Sequence, residues 1–207
     1  MTKVRDNGRR EVILRIAASL FRQHGYQRTS VREIAEAAGM TSGSLFYYFT
    51  SKEELLVAIM DEGVRDIMQS VSDGLAGQQN LSDRLLAMLR CHLKALLGPN
   101  LDAMTVLLYE WRSLSPPARA RVLASREAYE RLWTQPFDEA AALGLVDADT
   151  MVVRQTVLGA LNWTAQWYRP GGRLDPDTLA LRMFALLLPQ AARSTSDRFF
   201  PETMEMK

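Results

Sequence analysis

The sequence predicts an all-α protein with a small N-terminal three-helix domain and a larger C-terminal helical domain, about nine helices in total. Three observations predict this fold class. Apolar residues recur at helical spacing along most of the 207 residues. No stretch shows the alternation that is typical of a β-strand. Glycine, proline and capping residues separate the successive apolar runs. We expect the boundary near Ser51, which gives domains of residues 1–50 and 51–207.

The first helix is predicted from an apolar stripe that begins at Val12 and ends at Phe21. Gly25 follows it, at the position where a glycine commonly ends a helix. We expect this helix to support the next two helices and to fill a small core with them.

The second helix is predicted between Val31 and Ala38, which carry apolar side chains on one helical face together with Ile34. Ser30 stands at the N-cap position, and Glu33 three residues later completes a capping box. Gly39 then supplies the backbone freedom that a tight turn requires.

The third helix is predicted to start after the capping residue Thr41 and to place Leu45 and Phe49 on its inner side. Two short helices joined by a glycine turn form the layout of a helix-turn-helix, whose second helix reads the major groove of DNA. Ser51 is expected to cap the fourth helix, with Glu54 as its capping-box partner.

Residues 10–56 resemble the DNA-binding domain of the TetR family of bacterial transcriptional repressors. Two positions depart from the family pattern: Phe46 replaces the usual tyrosine, and Ser42 replaces a lysine, arginine or proline. The matching segments are Ile34-Ala35-Glu36-Ala37-Ala38-Gly39, Gly43-Ser44-Leu45, Tyr48-Phe49, Ser51-Lys52-Glu53 and Leu55-Leu56.

The resemblance implies double-stranded operator DNA as a partner. It places Thr29, Ser30, Tyr48 and Lys52 on phosphates, which fix register, whereas base edges are read from the third helix. Gly43 allows close approach to the bases, and Tyr47 is expected to project from the exposed face. The predicted DNA-binding residues are Thr29, Ser30, Thr41, Ser42, Gly43, Ser44, Tyr47, Tyr48 and Lys52.

The charge distribution agrees with contact to phosphate at one end. The net charge is only +1, but residues 1–53 contain nine Lys and Arg against five Asp and Glu. The remaining residues contain 16 against 19, so a basic N-terminal part precedes a mildly acidic one.

Several function classes lack the motifs they require. The chain has no nucleophile motif, phosphate loop or metal-ligand spacing, so we expect neither catalysis nor a metal nor a cofactor. No apolar run is long enough to cross a membrane and no signal peptide is visible, which predicts a cytoplasmic, nucleoid-associated protein. Cys91, the single cysteine, fits a reducing compartment. We interpret it as a packing residue, with a redox sensor as the alternative.

The C-terminal domain reads as a series of helices, and two of them are unusually apolar. The stretches at about residues 149–168 and 177–192 carry apolar residues on more than one face, which requires burial on more than one side. A third long helix, which starts at Pro116, is expected to kink or break at Pro136. The resemblance implies that the last two helices of each subunit form a four-helix seam, hence a homodimer and a near-palindromic operator.

Aromatic side chains in the C-terminal domain suggest a small-molecule site, although such residues more often fill a core. Residues 159–172 resemble the branch of the TetR family that responds to acyl-CoA thioesters of lipid or sterol catabolism. Five arginines could meet the phosphates of such an effector: Arg112, Arg119, Arg121, Arg126 and Arg131. The predicted ligand-binding residues are Met104, Leu108, Trp111, Arg112, Trp133, Asn162, Trp163, Gln166 and Trp167.

The positions of Trp163 and Trp167 leave two alternatives open. They are four residues apart, so they lie on one face of a helix beside Asn162 and Gln166. This face is expected either to form a pocket wall or to form part of the dimer seam.

The sequence therefore predicts a dimeric repressor that leaves its operator when a small effector binds, with an acyl-CoA thioester as the effector class that the resemblance implies. Three alternatives remain at this stage. They are a helical enzyme that handles acyl-CoA, a TetR-type regulator of efflux or drug response, and an interaction module of the sigma-factor or anti-repressor type.

Overall fold

The computed structural model describes the backbone of residues 2–194 and the side chains from Gly8 to Ser194. Over this range the chain forms eleven α-helices and one 3-10 turn, and no strand, so the all-α prediction is confirmed. The helices are α1 Thr2–His24, α2 Val31–Ala37, α3 Ser42–Tyr48, α4 Lys52–Leu75, α5 Leu81–Leu97, α6 Leu101–Tyr109, α7 Pro116–Arg131, α8 Thr134–Ala142, α9 Thr150–Trp167, α10 Pro176–Leu187 and α11 Pro189–Arg193, with the 3-10 turn at Trp111–Ser113.

Helix α7 ends earlier than the sequence predicts. It stops at Arg131, and α8 begins at Thr134. The expected break was at Pro136, which instead lies in the first turn of α8. A proline ring clashes with the carbonyl of the residue four positions before it, here Leu132, so the helix is interrupted ahead of the proline rather than at it.

The N-terminus of α4 shows half of the predicted capping box. The Ser51 hydroxyl accepts the Glu54 N–H at 3.0 Å, as expected of an N-cap. The Glu54 carboxylate, however, accepts both the N–H and the hydroxyl of Thr50, at 2.6 and 2.5 Å. These bonds lower the pKa of Glu54. The reciprocal bond is thus shifted by one residue toward the N-terminus.

By its internal contacts the chain divides into two compact units, and the domain boundary near residue 50 stays a prediction. The first unit comprises Met1–Asp66 and Pro99–Ala128, and the second comprises Ile67–Gly98 and Tyr129–Lys207. Helices α4 and α7 each contribute to both units. The first unit contains the helix-turn-helix together with α6 and the 3-10 turn, because α6 packs against α1.

In the second unit, α5 is the central element and packs against α8, α9 and α10. Its Leu85, Leu89, Leu93 and Leu96 are completely buried. This spacing of three and four residues gives the apolar face that the sequence predicted for the helix. Of the helices in the described range, none combines the length and hydrophobicity needed to cross a bilayer.

Candidate DNA-binding surface and effector site

The turn between α2 and α3 has the geometry that its local sequence predicts. The Ser30 hydroxyl accepts the Glu33 N–H at 3.1 Å, and the Glu33 carboxylate accepts the Ser30 N–H at 2.6 Å. These two bonds lower the pKa of Glu33. Gly39 adopts φ +64°, and the Met40 N–H closes the helix end on the Ala35 carbonyl at 2.9 Å. The capping box and the glycine turn are therefore confirmed.

Helix α3 presents one buried and one exposed side. Leu45 and the C-cap residue Phe49 are buried in the first unit. On the other side, Tyr47 is 78 % exposed and Phe46 is 47 % exposed. Gly43 precedes them on this side. A Cβ added at Gly43 would meet only the Thr41 hydroxyl within 4 Å, at 3.8 Å. Exposed aromatic side chains on a short helix are available to contact a partner, for example the base edges of DNA.

Phe46 belongs to this surface although the sequence did not select it. In the sequence it stands out only as a departure from the family pattern. Its exposure beside Tyr47 gives α3 a second exposed aromatic side chain, and apolar side chains are able to contact a thymine methyl group. The signal that could have identified it is its spacing of three residues from Gly43 on a helix whose inner side is occupied by Leu45 and Phe49.

Thr41 and Ser44 form the N-terminal cap of α3. The Thr41 hydroxyl accepts the Ser44 N–H at 3.1 Å and lies 3.0 Å from the Ser44 hydroxyl. Both residues are exposed, so they can cap the N-terminus of α3 and remain accessible to a partner such as DNA. Ser42 and Tyr48 are half-buried.

Thr29 does not fit its predicted role as a phosphate contact. It is 1 % exposed, and its hydroxyl donates to the Gly25 carbonyl at 3.0 Å. Its N–H is bound to the same carbonyl at 3.3 Å. Thr29 therefore closes the turn between α1 and α2 through bonds to residues four and nine positions earlier in the chain. The adjacent Ser30 remains exposed.

Lys52 is held by the protein itself. Its ammonium donates to the carbonyls of Tyr26 and Thr29 at 2.8 and 2.9 Å, and it lies 4.2 Å from the centre of the Tyr26 ring. Burial lowers the pKa of Lys52. A third, longer bond to the Gln27 carbonyl at 3.5 Å engages the last of the three donors of the ammonium, so a phosphate contact requires that this bond be exchanged. Lys52 thus positions the turn between α1 and α2, and a phosphate contact stays a prediction.

The segment from Glu110 to Ser115 is attached to the helix-turn-helix inside the first unit. Glu110 accepts the Tyr26 N–H at 3.2 Å and the Ser113 hydroxyl at 3.0 Å. Glu53, in the first turn of α4, accepts the Ser115 N–H at 2.6 Å. Two carboxylates therefore connect this segment to the two ends of the region that carries α2 and α3.

Four of the predicted ligand residues lie in the first unit. Met104 is buried, with its sulfur 3.4 Å from the position of a Cβ on Gly63, so it is a packing residue between α6 and α4. Leu108 and Trp111 are half-buried, and Arg112 is exposed. The guanidinium of Arg112 lies 4.5 Å from the centre of the Trp111 ring.

The other predicted ligand residues belong to the second unit, where Trp133 is completely buried. Its ring packs against His92, Tyr129 and Phe137 at centroid distances of 5.8, 6.1 and 6.1 Å. Trp133 is therefore a core residue, in line with the alternative that aromatics fill the core.

Asn162 completes a buried polar cluster around His92. Its side-chain oxygen accepts from Nε2 of His92 at 3.0 Å, which leaves Nδ1 to accept from the Tyr129 hydroxyl at 2.6 Å. Burial lowers the pKa of His92 to about 4, opposed by the bond to Asn162. Burial also raises the pKa of Tyr129. This cluster, which the sequence did not predict, gives the Asn162 side chain a structural role, and its contact with a ligand stays a prediction.

Trp163, Gln166 and Trp167 lie on the exposed side of α9. Trp163 is 62 % exposed and Trp167 is 48 % exposed. Gly159 on the same side has nothing within 4 Å of an added Cβ. Within one chain these residues form a surface rather than the wall of a closed cavity, which favours the dimer-seam alternative.

A cavity of about 270 Å³ lies in the first unit, between α1, α4 and the start of α6. None of the predicted ligand residues lines it. Its carboxylates are partly engaged, since Asp102 pairs with Arg22 at 2.5 Å and Asp66 accepts from Asn100 at 2.7 Å. Within the described part of the chain, no group of three or more His, Cys, Asp and Glu residues has the arrangement of a metal site.

Two family models match this chain. The model described as "Bacterial regulatory proteins, tetR family" matches residues 13–59, and the model "Tetracyclin repressor-like, C-terminal domain" matches residues 78–190. The chain belongs to the TetR family. The first match covers the helix-turn-helix described above, and the second covers more than half of the chain.

Named relatives support a regulatory branch of this family. The repressor KstR2 of Rhodococcus jostii (strain RHA1) is 30 % identical over 185 residues, which cover 88 % of this chain and 90 % of that protein. The crystal structure of AibR in complex with isovaleryl coenzyme A and operator DNA is 31 % identical, with a TM-score of 0.80 over 87 % of this chain and 98 % of that one.

A third relative carries a different name. The crystal structure of the superantigen PfiT is 40 % identical, with a TM-score of 0.73 over 87 % of this chain and 96 % of that one. The fold is therefore shared by proteins that are named for different roles. The assignment of DNA reading to this chain depends on its own helix-turn-helix residues.

Proposed function

We propose that this TetR-family protein is a transcriptional repressor that binds a near-palindromic operator as a homodimer and is released by a small effector. The observation that carries the proposal is the helix-turn-helix of residues 30–49, with its capping box, its glycine turn at φ +64° and the exposed side chains of α3. Its site of action would be chromosomal DNA in the cytoplasm.

The proposed DNA contacts divide by role. Tyr47 and Phe46 face the base edges in the major groove. Gly43 precedes them, near the start of α3. Ser30, Tyr48 and Lys52 face phosphates, which position the protein without reading sequence. Support comes from the structural relative AibR, which is described in complex with operator DNA.

The proposed dimer uses the exposed apolar side of α9 and α10. Met151, Val152, Trp163 and Trp167 on α9, and Leu186 on α10, are all about half or more exposed in the single chain. Large apolar side chains that share a helix face are normally covered by a partner. A two-fold dimer through this face would present two copies of α3 to the two halves of an operator.

The proposed effector is an acyl-CoA thioester of lipid or sterol catabolism. Support comes from the relatives, because AibR is described with isovaleryl coenzyme A and KstR2 as a repressor. The second candidate is a TetR-type regulator that responds to drugs. A drug effector without phosphates needs no arginine site. An acyl-CoA enzyme would need a base or nucleophile in a pocket, and the buried His92, held by Tyr129 and Asn162, offers neither.

The test is a titration of a labelled duplex taken from the region upstream of the protein's own gene. We expect tight binding to one duplex that survives an excess of unrelated duplex. We expect acyl-CoA thioesters of a matching chain type to release it and the free acids not to. Release only by free acids or unrelated drugs would exclude the thioester class, and equal binding to all duplexes would exclude the repressor. Thioester turnover during the titration would support the enzyme.

A further inference from the structure

Two consecutive arginines of α1 contact the two ends of the segment that carries α3. Arg9 and Arg10 are both half-buried in the first unit. The Arg9 guanidinium donates to the Ala38 carbonyl at 2.6 Å, across 29 residues of chain. The guanidinium carbon of Arg10 lies 5.1 Å from the centre of the Phe49 ring. Ala38 is the C-cap of α2, before the turn that leads into α3, and Phe49 is the C-cap of α3.

The bond from Arg9 stabilises the C-terminal end of α2. The last carbonyls of a helix have no N–H partner within the helix. In α2 the Ala35 carbonyl is bound by the Met40 N–H of the glycine turn at 2.9 Å. The Ala38 carbonyl, directly before that turn, is bound by the Arg9 guanidinium. A charged donor makes the stronger kind of hydrogen bond, so Arg9 fixes the backbone at the point where the turn begins.

Arg10 contacts the other end of α3 and also reaches α4. Phe49 is 1 % exposed, and the Arg10 guanidinium lies within the range of a cation–π contact with its ring. Glu62 on α4 lies 4.0 Å from the same guanidinium. Burial raises the pKa of Glu62, and the positive charge of Arg10 opposes that rise. Arg10 therefore connects the end of α3 to α4.

The orientation of α3 decides which base edges its exposed side chains can meet. The helix has only seven residues and packs against α2. So short a helix is not stable by itself, and its direction depends on the contacts made at its ends and along its inner side. A recognition site has to be held to within about 0.5 Å of its productive geometry. Arg9 and Arg10 act at the two ends, whereas Phe46 and Tyr47 are exposed between them.

We propose that Arg9 and Arg10 are positioning residues, which hold α3 in the orientation that sequence-specific reading requires and do not read bases themselves. The inference rests on the proposed function as a DNA-binding repressor. Loss of either contact should loosen one end of α3 and lower the preference for the operator over unrelated DNA. A phosphate contact would behave differently, because its loss weakens binding to every duplex alike.

The first test measures hydrogen exchange of backbone amides in the full chain without DNA. We expect Arg9→Gln to speed exchange of the Met40 N–H by about tenfold or more, because the turn opens more often without its charged donor. Arg10→Gln should have this effect on the Phe49 N–H, which closes the end of α3 on the Leu45 carbonyl. Exchange of the buried α5 amides, which reports opening of the second unit, should change much less in both variants.

The second test compares the dissociation constants for the operator and for an unrelated duplex at several salt concentrations. We expect Arg9→Gln and Arg10→Gln each to weaken operator binding by about tenfold or more and unrelated binding by less than about threefold. The salt slope for the unrelated duplex should stay unchanged. Arg15→Gln removes the same charge from an exposed position on α1 and is the matched control. It should keep both dissociation constants and both exchange rates close to those of the natural protein.

Three outcomes would overturn the positioning role. Equal weakening on both duplexes, with a salt slope reduced by about 0.9, would make the substituted arginine a phosphate contact. Unchanged exchange at Met40 and Phe49 would show that the two contacts do not hold the ends of α3. An undiminished preference for the operator in both variants would show that the orientation of α3 does not depend on them.

Failure of the proposed function gives a different result. A natural protein that binds all duplexes alike would contradict the repressor, whatever the variants do. The exchange measurement needs no DNA, so it would still decide whether Arg9 and Arg10 hold the ends of α3. Thermal unfolding of each variant separates a local effect on α3 from a general loss of the fold.

Discussion

At the scale of a single residue, a change at Tyr47 is expected to affect base reading and to leave the stability of the fold almost unchanged. It is 78 % exposed on α3, so its side chain contributes little to the core. A base contact contributes about 1–3 kcal/mol of discrimination. We expect Tyr47→Ala to lower the preference for operator over unrelated duplex by about tenfold or more, and to change the free energy of unfolding by less than about 0.5 kcal/mol. Competition binding and urea unfolding measure the two quantities. A proportional loss on both duplexes would contradict a base-reading role.

Lys52 is expected to behave in the opposite way. Removing its ammonium takes the side-chain donor away from the carbonyls of Tyr26 and Thr29 in a partly buried turn. We expect Lys52→Ala to destabilise the fold by about 1–3 kcal/mol and to weaken binding to all duplexes alike. The salt dependence of binding then separates its two roles. A slope reduced by about 0.9 indicates a phosphate contact in addition, whereas an unchanged slope indicates positioning alone.

The region around the helix-turn-helix also shows what the sequence could and could not predict. The caps at Ser30 and Thr41 and the turn at Gly39 were predicted because their partners lie within a few residues. The burial of Thr29 and the carbonyl partners of Lys52 depend on how α1, the following turn and α4 pack, over more than twenty residues of chain in the case of Lys52. The exposure of α9 needed the same long-range packing, so its tryptophans remained ambiguous.

At the scale of helix pairs, Gly74 and Cys91 mark a close approach of α4 and α5 in the second unit. A Cβ on Gly74 would stand 2.3 Å from the sulfur of Cys91. Burial raises the pKa of Cys91, which favours packing over the redox-sensor alternative. We expect Gly74→Ala to destabilise the fold by about 1–3 kcal/mol through overpacking, although alanine is the better helix former.

The double variant G74A/C91A provides the control for this contact. Removing the sulfur makes room for the new methyl group, so stability should recover to that of Cys91→Ala or above it. Chemical unfolding of the four proteins gives the interaction term directly. Additive losses in the double variant would show that the two residues do not meet.

The cluster that ties α5, α7 and α9 together predicts a pH dependence. The pKa of His92 is about 4 in the folded chain and about 6.5 when exposed, because burial disfavours the charged ring. Above about pH 6.5 the ring is neutral in both states. As the pH falls from about 6.5 to about 4, only the unfolded state takes up the proton, and stability decreases by up to about 1.4 kcal/mol per pH unit.

The measurement is the free energy of unfolding across this pH range for three proteins. His92→Gln should flatten the slope in that window while lowering stability at neutral pH, because the bonds to Tyr129 and Asn162 are lost. His24→Gln, at the exposed end of α1, removes the other histidine without touching the cluster and should keep the slope. A natural protein with constant stability down to pH 4 would contradict the assignment.

At the scale of the whole molecule, the exposed apolar side of α9 and α10 predicts how copies associate. A glutamate at Trp163 or Leu186 would place a charge in the proposed seam without disturbing the core, since both side chains are mostly exposed in one chain. A buried charge without a partner costs several kcal/mol. We therefore expect the double variant W163E/L186E to sediment as a monomer at micromolar concentration, where the natural protein sediments as a dimer.

Leu143 supplies the matched control, because it is 68 % exposed at the end of α8 and outside this face. Leu143→Glu should leave the dimer intact. A monomer carries only one copy of α3, so W163E/L186E should also lose operator affinity while keeping the salt dependence that one half-site contributes. A natural protein that sediments as a monomer would defeat the seam. Dimers in both variants would move the seam away from α9 and α10, and the exposed tryptophans would then be candidates for the wall of the effector site.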